Sequence, residues 1–244
     1  MKLSIIIPAY NEEKNIEKTL TAISRFLSEN KVDFEIIVVA NNCTDNTVPV
    51  LYGVKKNTIS ELVVIDIPKT GMVGNTKGYA IGVGMREAKG EYHLFLDADN
   101  ATSFDCIGQF MDYIKQGYDV VVASRYVSGS RILQQPVRRV VLSRLSNILI
   151  RAVLLPGIYD TQCGFKMFTR AASKEIFSRT TVNGWGADLE MLAIAKNFGF
   201  KIKEAPVVWE YQAGSRVRAG GILNTLKELF KIRKNVKNNF YQRN

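Results

Sequence analysis

Through the first half of the chain, short and almost continuously apolar runs alternate with stretches whose apolar residues recur every three or four positions. The runs predict strands at residues 3–7, 35–39, 62–65, 92–96 and 120–123. Helices are predicted between them at 12–28, 44–54, 75–88 and 104–115; in the first, Ile16, Leu20, Ile23 and Leu27 share one face. Strands this apolar, each followed by a helix, point to a mostly parallel sheet covered on both faces, an α/β architecture. The second half is more helical. An amphipathic helix is predicted at 137–155, closed by Pro156-Gly157. A loop and strand follow at 160–168, helices at 171–178 and 188–198, and a strand at 202–208. From residue 221 a last helix sets Ile222, Leu226, Leu229, Phe230 and Phe240 against Lys227, Lys231, Arg233, Lys234 and Lys237. No repeat or low-complexity linker interrupts the chain. The organisation expected is one domain over 1–218 and a basic amphipathic helix over 219–244.

Open α/β sheets bind ligands beyond the carboxyl ends of their strands. Three predicted strand ends carry polar signatures: Pro8-Ala9-Tyr10-Asn11-Glu12, Asn41-Asn42-Cys43-Thr44-Asp45 and Asp97-Ala98-Asp99. Their convergence on one edge is the first functional signal.

Charge sharpens the picture. Residues 1–120 carry 12 Lys/Arg against 16 Asp/Glu, whereas 121–244 carry 21 against 7, so a net of −4 is followed by +14. Such asymmetry suggests two differently charged partners on one body. An anionic membrane surface, a phosphorylated acceptor and nucleic acid all suit the basic half. Nucleic acid would call for basic residues among exposed aromatics, but 137–155 mixes arginines with aliphatics, which suits lipid better. No nucleic-acid partner is therefore expected. Cys43, Cys106 and Cys163 are odd in number and lack C-x-x-C spacing, as expected of reduced thiols. No secretory signal or membrane-spanning run is evident, so a cytoplasmic protein held peripherally on the cytosolic membrane face is expected.

Asp97 and Asp99 can meet a hard cation such as Mg²⁺ or Mn²⁺, which favours oxygen ligands beside substrate phosphates. A turn with helix-capping aspartates is the plainer reading of the same pair. Glycines and Lys77 in the segment 71–80 sit where a loop enters a helix, a place that favours anions. His93, inside an apolar strand, reads as a satisfied core residue.

Taken in order, the first strand with 8–12, the second strand with its polar loop, Lys77-Gly78 and Asp97-Ala98-Asp99 resemble the family 2 glycosyltransferases, which have the GT-A fold. Ala123-Ser124-Arg125 is similar to that family's G-S-R. Asp160-Thr161-Gln162-Cys163-Gly164-Phe165-Lys166-Met167-Phe168 resembles the D-T-Q-C-G-F-K-L-F of dolichyl-phosphate glucosyltransferases, and Trp185 to Glu190 their W-x-x-D-x-E. The resemblance implies a nucleotide pocket shaped by Pro8, Ala9, Tyr10, Glu12, Asn41, Asn42, Lys77, Gly78, Asp97 and Ala98. It implies Asp99 as the principal metal ligand, with Asp97 near ribose and metal, and Asp188 with Glu190 near the reacting sugar. Glu190 could instead be a helix acid facing solvent. The family's second strand usually ends in D-D-G-S; the amides of Asn41 and Asn42 here put the choice of base in question.

The activity this implies is inverting transfer of a hexose to a dolichyl or polyprenyl phosphate. Glucose from UDP-glucose is favoured, with GDP-mannose the rival donor. Spacing and resemblance together nominate Arg125, Arg139 and Arg216, with Ser143, as the clamp on the acceptor phosphate. The alternative within enzymes is transfer to a sugar hydroxyl, for which Asp188 would be the obligatory base. A membrane adaptor without catalysis is further from these residues.

Overall fold

A computed structural model describes residues 2–68, 77–212 and 219–242. In the first half the predicted elements stand in order: β1 (Lys2–Ala9), α1 (Ile16–Glu29), β2 (Asp33–Asn41), α2 (Thr47–Asn57), β3 (Leu62–Ile67), α3 (Lys77–Glu87), β4 (Tyr92–Leu96), α4 (Cys106–Lys115) and β5 (Val120–Ser124). There follow β6 (Arg131–Leu133), α5 (Val137–Val153), β7 (Phe165–Thr169), α6 (Arg170–Phe177), α7 (Ala187–Asn197), β8 (Ile202–Pro206), β9 (Val208–Glu210) and α8 (Ala219–Lys237). A 3-10 turn, Phe240–Gln242, closes the described chain, so the helix expected over 219–244 ends earlier, at Lys237.

The main sheet runs β3-β2-β1-β4-β7-β5-β8. Every pairing is parallel except those of β7, which lies antiparallel between β4 and β5. Strand order reverses beside β1: β2 and β3 extend to one side, β4 to the other. That reversal opens a crevice at the carboxyl ends of β1 and β4. The five residues of β4 and of β5 are all buried, as strands with helices on both faces require. One side of the sheet packs Ile16, Leu20, Ile23, Phe110 and Ile114; the other packs Ile81, Met85, Ile176, Leu192 and Ile194. His93 is the core histidine expected, its Nδ1 2.8 Å from Ser173 Oγ and its Nε2 donating to Gly90 O at 3.1 Å.

The second half departs from expectation in two ways. The segment expected as one strand at 202–208 is split, and its second piece, β9, pairs with β6 in a separate two-stranded sheet over the crevice. The last helix is no free appendage: Leu229 and Ile232 are fully buried against the domain, and α8 packs on α5 and α7. A division at residue 218 thus separates segments that the fold joins. In contrast α5 buries only Asn147 and Ile150, leaving Val137, Val141, Leu142, Leu145, Ile148 and Leu149 exposed.

Candidate active site

Because β1, β2 and β4 are parallel neighbours in register, Pro8 to Tyr10, Asn41 and Asp97 to Asp99 emerge together at one edge. They open onto a cavity of about 550 Å³. Its far wall holds Arg125 after β5, Gln135, Arg139 and Ser143 of the α5 region, and Trp209 and Tyr211 after β8. Lys77, Trp185 and Asp188 also line it. Leu142 and Ile150 of α5 and Leu226 and Leu229 of α8 add apolar side chains to its lining. Of the residues expected at the site, Asn42 and Gly78 stand behind this wall. Asn42 has φ 57° and donates its N–H to Ile67 O, while a Cβ on Gly78 would collide with Ala187. Arg216 and the segment 71–76 lie outside the described residues, as does the side chain of Ile222.

A chain of alternating charges runs through the cavity floor. Lys77 Nζ lies 2.7 Å from Asp97 Oδ1 and 3.7 Å from Asp188 Oδ2. The other oxygen of Asp188 meets Lys166 Nζ at 2.5 Å, and Lys166 also donates to Cys163 O. Burial by itself would lower the Lys77 pKa, but Asp97 and Asp188 outweigh it and hold the ammonium above its ordinary range. Both ammonium groups flank the ring of Phe95.

The segment 160–168 turns out to be the scaffold of this floor. A Cβ on Gly164 would run into the Asp97 carboxylate, so only glycine lets β7 begin there. Asp97 N donates to Gly164 O at 3.0 Å. Asp160, wholly buried, accepts Arg125 Nε at 2.7 Å, Nη2 at 2.9 Å and the Arg125 backbone N–H at 3.0 Å. Burial would raise the Asp160 pKa, but Arg125 overrides it and holds the carboxyl below its usual value. The fork of Arg125 is therefore spent on Asp160, unlike the free clamp the sequence suggested. Arg139 stacks on Tyr211 at 5.1 Å and, among the described residues, makes no ion pair. Ser143 Oγ accepts from Tyr126 Oη at 2.7 Å.

Glu190 fits neither expectation. It is completely buried and accepts from Thr181 N, Thr181 Oγ1, Val182 N and Tyr241 Oη. It holds the α6–α7 connection and the C-terminal turn together, shielded from solvent and outside the cavity lining. Four donors to one buried carboxylate need no ligand to complete them.

Asp99 is open to the cavity but ringed by protein. That loss of bulk water, together with the Asp97 charge, raises its carboxyl to about 6. Asp97 is shared with Lys77; Asp99 accepts the Ala101 N–H at 3.1 Å. Two hard oxygen donors carrying excess negative charge fit Mg²⁺ or Mn²⁺, which commonly take one or two carboxylates and complete their shell with phosphate and water. Among the described residues no third acidic, His or Cys ligand joins them.

Residues 4–177 match the sequence profile of Glycosyl transferase family 2. The chain belongs to glycosyltransferase family 2. This family 2 enzyme is 34% identical over 239 residues to a dolichyl-phosphate beta-glucosyltransferase of Trichomonas vaginalis, covering 94% of this chain and 72% of that protein. The dolichyl-phosphate beta-glucosyltransferase of Homo sapiens is 33% identical over 229 residues, covering 88% and 69%. Glucosyl-3-phosphoglycerate synthase from Mycobacterium tuberculosis, solved with Mn²⁺, UDP-glucose and phosphoglyceric acid, superposes with a TM-score of 0.66 at 17% identity, over 96% of this chain and 79% of that one. The glycosyltransferase shares its GT-A fold. Asp188 and α8 lie beyond the matched profile, and nothing in the apolar pattern of α8 marked Leu226 and Leu229 as cavity wall rather than free surface.

Proposed function

We propose that this enzyme transfers glucose from UDP-glucose to the phosphate of a dolichyl or other polyprenyl phosphate, with inversion, at a cytosolic membrane face. The observation that carries this reading is that one cavity is lined by the Asp97 and Asp99 carboxylates, by Arg139 and by apolar side chains of α5 and α8. A phosphate attached to an aliphatic chain is complementary to that combination of basic and apolar lining. The names of the curated relatives support the sugar and the acceptor.

The chemistry follows from the floor. An acceptor phosphate oxygen attacks the anomeric carbon, and the bond from that carbon to the diphosphate breaks, its electron pair leaving with the diphosphate. Mg²⁺ or Mn²⁺ held by Asp99 and Asp97 would neutralise the departing charge. Lys77, kept charged by Asp97 and Asp188, adds a fixed cation beside that edge. A phosphate monoester is already anionic at neutral pH, so no base must take a proton from it. A sugar hydroxyl would need one. Asp188, the candidate for that task, has Lys166 on one oxygen and Lys77 facing the other, which favours a positioning role.

No described helix is long and apolar enough to cross a membrane. The exposed aliphatic residues of α5, interleaved with Arg138, Arg139, Arg144 and Arg151, suit a helix lying in an anionic interface.

The deciding experiment offers purified protein a panel of nucleotide sugars with Mg²⁺ or Mn²⁺ and a polyprenyl phosphate. Consumption of UDP-glucose dependent on the lipid phosphate is expected. Preferential consumption of GDP-mannose would overturn the donor assignment, and transfer only to a glycan hydroxyl would overturn the acceptor.

A further inference from the structure

The turn that delivers Asp188 is gripped by the last helix. Gly186 caps α7, so its backbone N–H has no partner inside that helix. Glu228, on α8, accepts it with Oε2 at 2.7 Å. The carboxylate is seated in a cradle of two glycines: a Cβ on Gly184 or on Gly186 would collide with the Glu228 side chain. A negative group is also favoured at this end of α7 by the helix dipole. From the opposite side, α3 holds the same turn. Tyr79 N donates to Asn183 O at 3.3 Å, and Gly78 lies against Val182 and Ala187.

Trp185, within this turn, faces the cavity and lies under Lys77. Asp188 follows in the first turn of α7, with its oxygens on Lys166 and Lys77. The orientation of α7 at its start therefore fixes where the Asp188 carboxylate stands. We propose that Glu228 is a positioning residue for the transfer reaction, acting through Gly186 to set Trp185 and Asp188 against the bound donor sugar. The assignment rests on the proposed function only in placing Asp188 beside the reacting sugar. It makes α8 a working part of the active site rather than an anchor.

The test compares full-length Glu228→Gln, Glu228→Met and Glu228→Asp with the parent in transfer from UDP-glucose to polyprenyl phosphate. Amide hydrogen exchange is followed in parallel over residues 182–189. Methionine keeps the packed stem without an acceptor, aspartate withdraws the carboxylate by one methylene, and glutamine retains an acceptor oxygen. Glu228→Met and Glu228→Asp should lose about tenfold in kcat, with KM for UDP-glucose changed less than about threefold, and exchange at 182–189 should speed up. Glu228→Gln should recover most of the parent rate. Parent-like kcat in folded Glu228→Met overturns the proposal, as does equal loss in Glu228→Gln. If Glu228→Met does not fold, Glu228→Asp decides by the same criterion. Should the parent itself transfer nothing to polyprenyl phosphate, the functional reading fails on its own. Unchanged exchange at 182–189 in the variants would then separately overturn the brace.

Discussion

Lys166 and Asp188 form an ion pair, Nζ to Oδ1 2.5 Å, in which the lysine has no exposed surface and the aspartate almost none. Removing one partner of such a pair leaves a buried charge uncompensated, which is far more costly than the pair's net worth. Lys166→Met should therefore lower stability by about 3 to 5 kcal/mol, read as a fall in the denaturant midpoint. A loss under about 1 kcal/mol would mean that Lys77 alone suffices to hold Asp188.

Asp99 gives a prediction in pH as well as in rate. Its carboxyl is raised to about 6 from an ordinary 3.8, so the fold favours the protonated form. That contribution is complete below pH 3.8 and disappears as pH rises through 6. In metal-free buffer Asp99→Asn, which cannot ionise, should be more stable than the parent above pH 6, and the gap should narrow on acidification. Mn²⁺ should raise the Tm of the parent and not of the variant. Turnover of Asp99→Asn should fall by about two orders of magnitude or more. Near-normal turnover, or full activity of the parent in excess EDTA, contradicts the metal assignment.

The two described arginines once grouped as a clamp should now separate. Arg125→Ala strips the partner from buried Asp160 and should cost about 3 to 5 kcal/mol of stability. Arg139→Ala, at a residue stacked on Tyr211 and without an ion pair among the described residues, should fold like the parent and raise the acceptor KM. Thermal unfolding beside acceptor kinetics distinguishes them; parent-like acceptor KM in Arg139→Ala removes that residue from phosphate binding.

Membrane attachment should show in flotation with anionic liposomes at low salt. Each basic group near an anionic leaflet adds about 1 kcal/mol, weakened by salt. A double Leu145→Glu, Ile148→Glu variant places charge on the exposed face of α5 and should stay with the soluble fraction. Flotation equal to that of the parent would show that α5 is not the contact.

Buried strands and the polar residues at their ends were legible in the sequence because both follow from local periodicity. The convergence of Tyr10, Asn41 and Asp97 on one edge needed only the rule that such strands run parallel. Directions of later strands were not legible: the apolar run at β7 looks the same whichever way it points. Long-range pairings were equally hidden. Arg125 finds Asp160 across 35 residues and Tyr241 finds Glu190 across 51, and each pairing redirects a side chain that the motif alone assigned to the substrate. Glu228 carried no signal at all, being one acid among lysines on an amphipathic helix.

The antiparallel strand β7 has a consequence for how the chain folds. It follows β5 in sequence yet stands between β4 and β5, pairing Tyr92 with Thr169 and Val120 with Phe168. Strands β1 to β4 can assemble while later residues are still being made, β2 and β3 by crossovers to a neighbour and β4 by one that returns past them to β1. β5 has no strand to join in that sheet until β7 arrives, and β8 reaches the sheet only through β5. Pairings between segments so far apart are slow to close. Nascent chains should thus hold the nucleotide half early and carry the open edge of β4, a ready partner for other strands, until residue 169 has emerged.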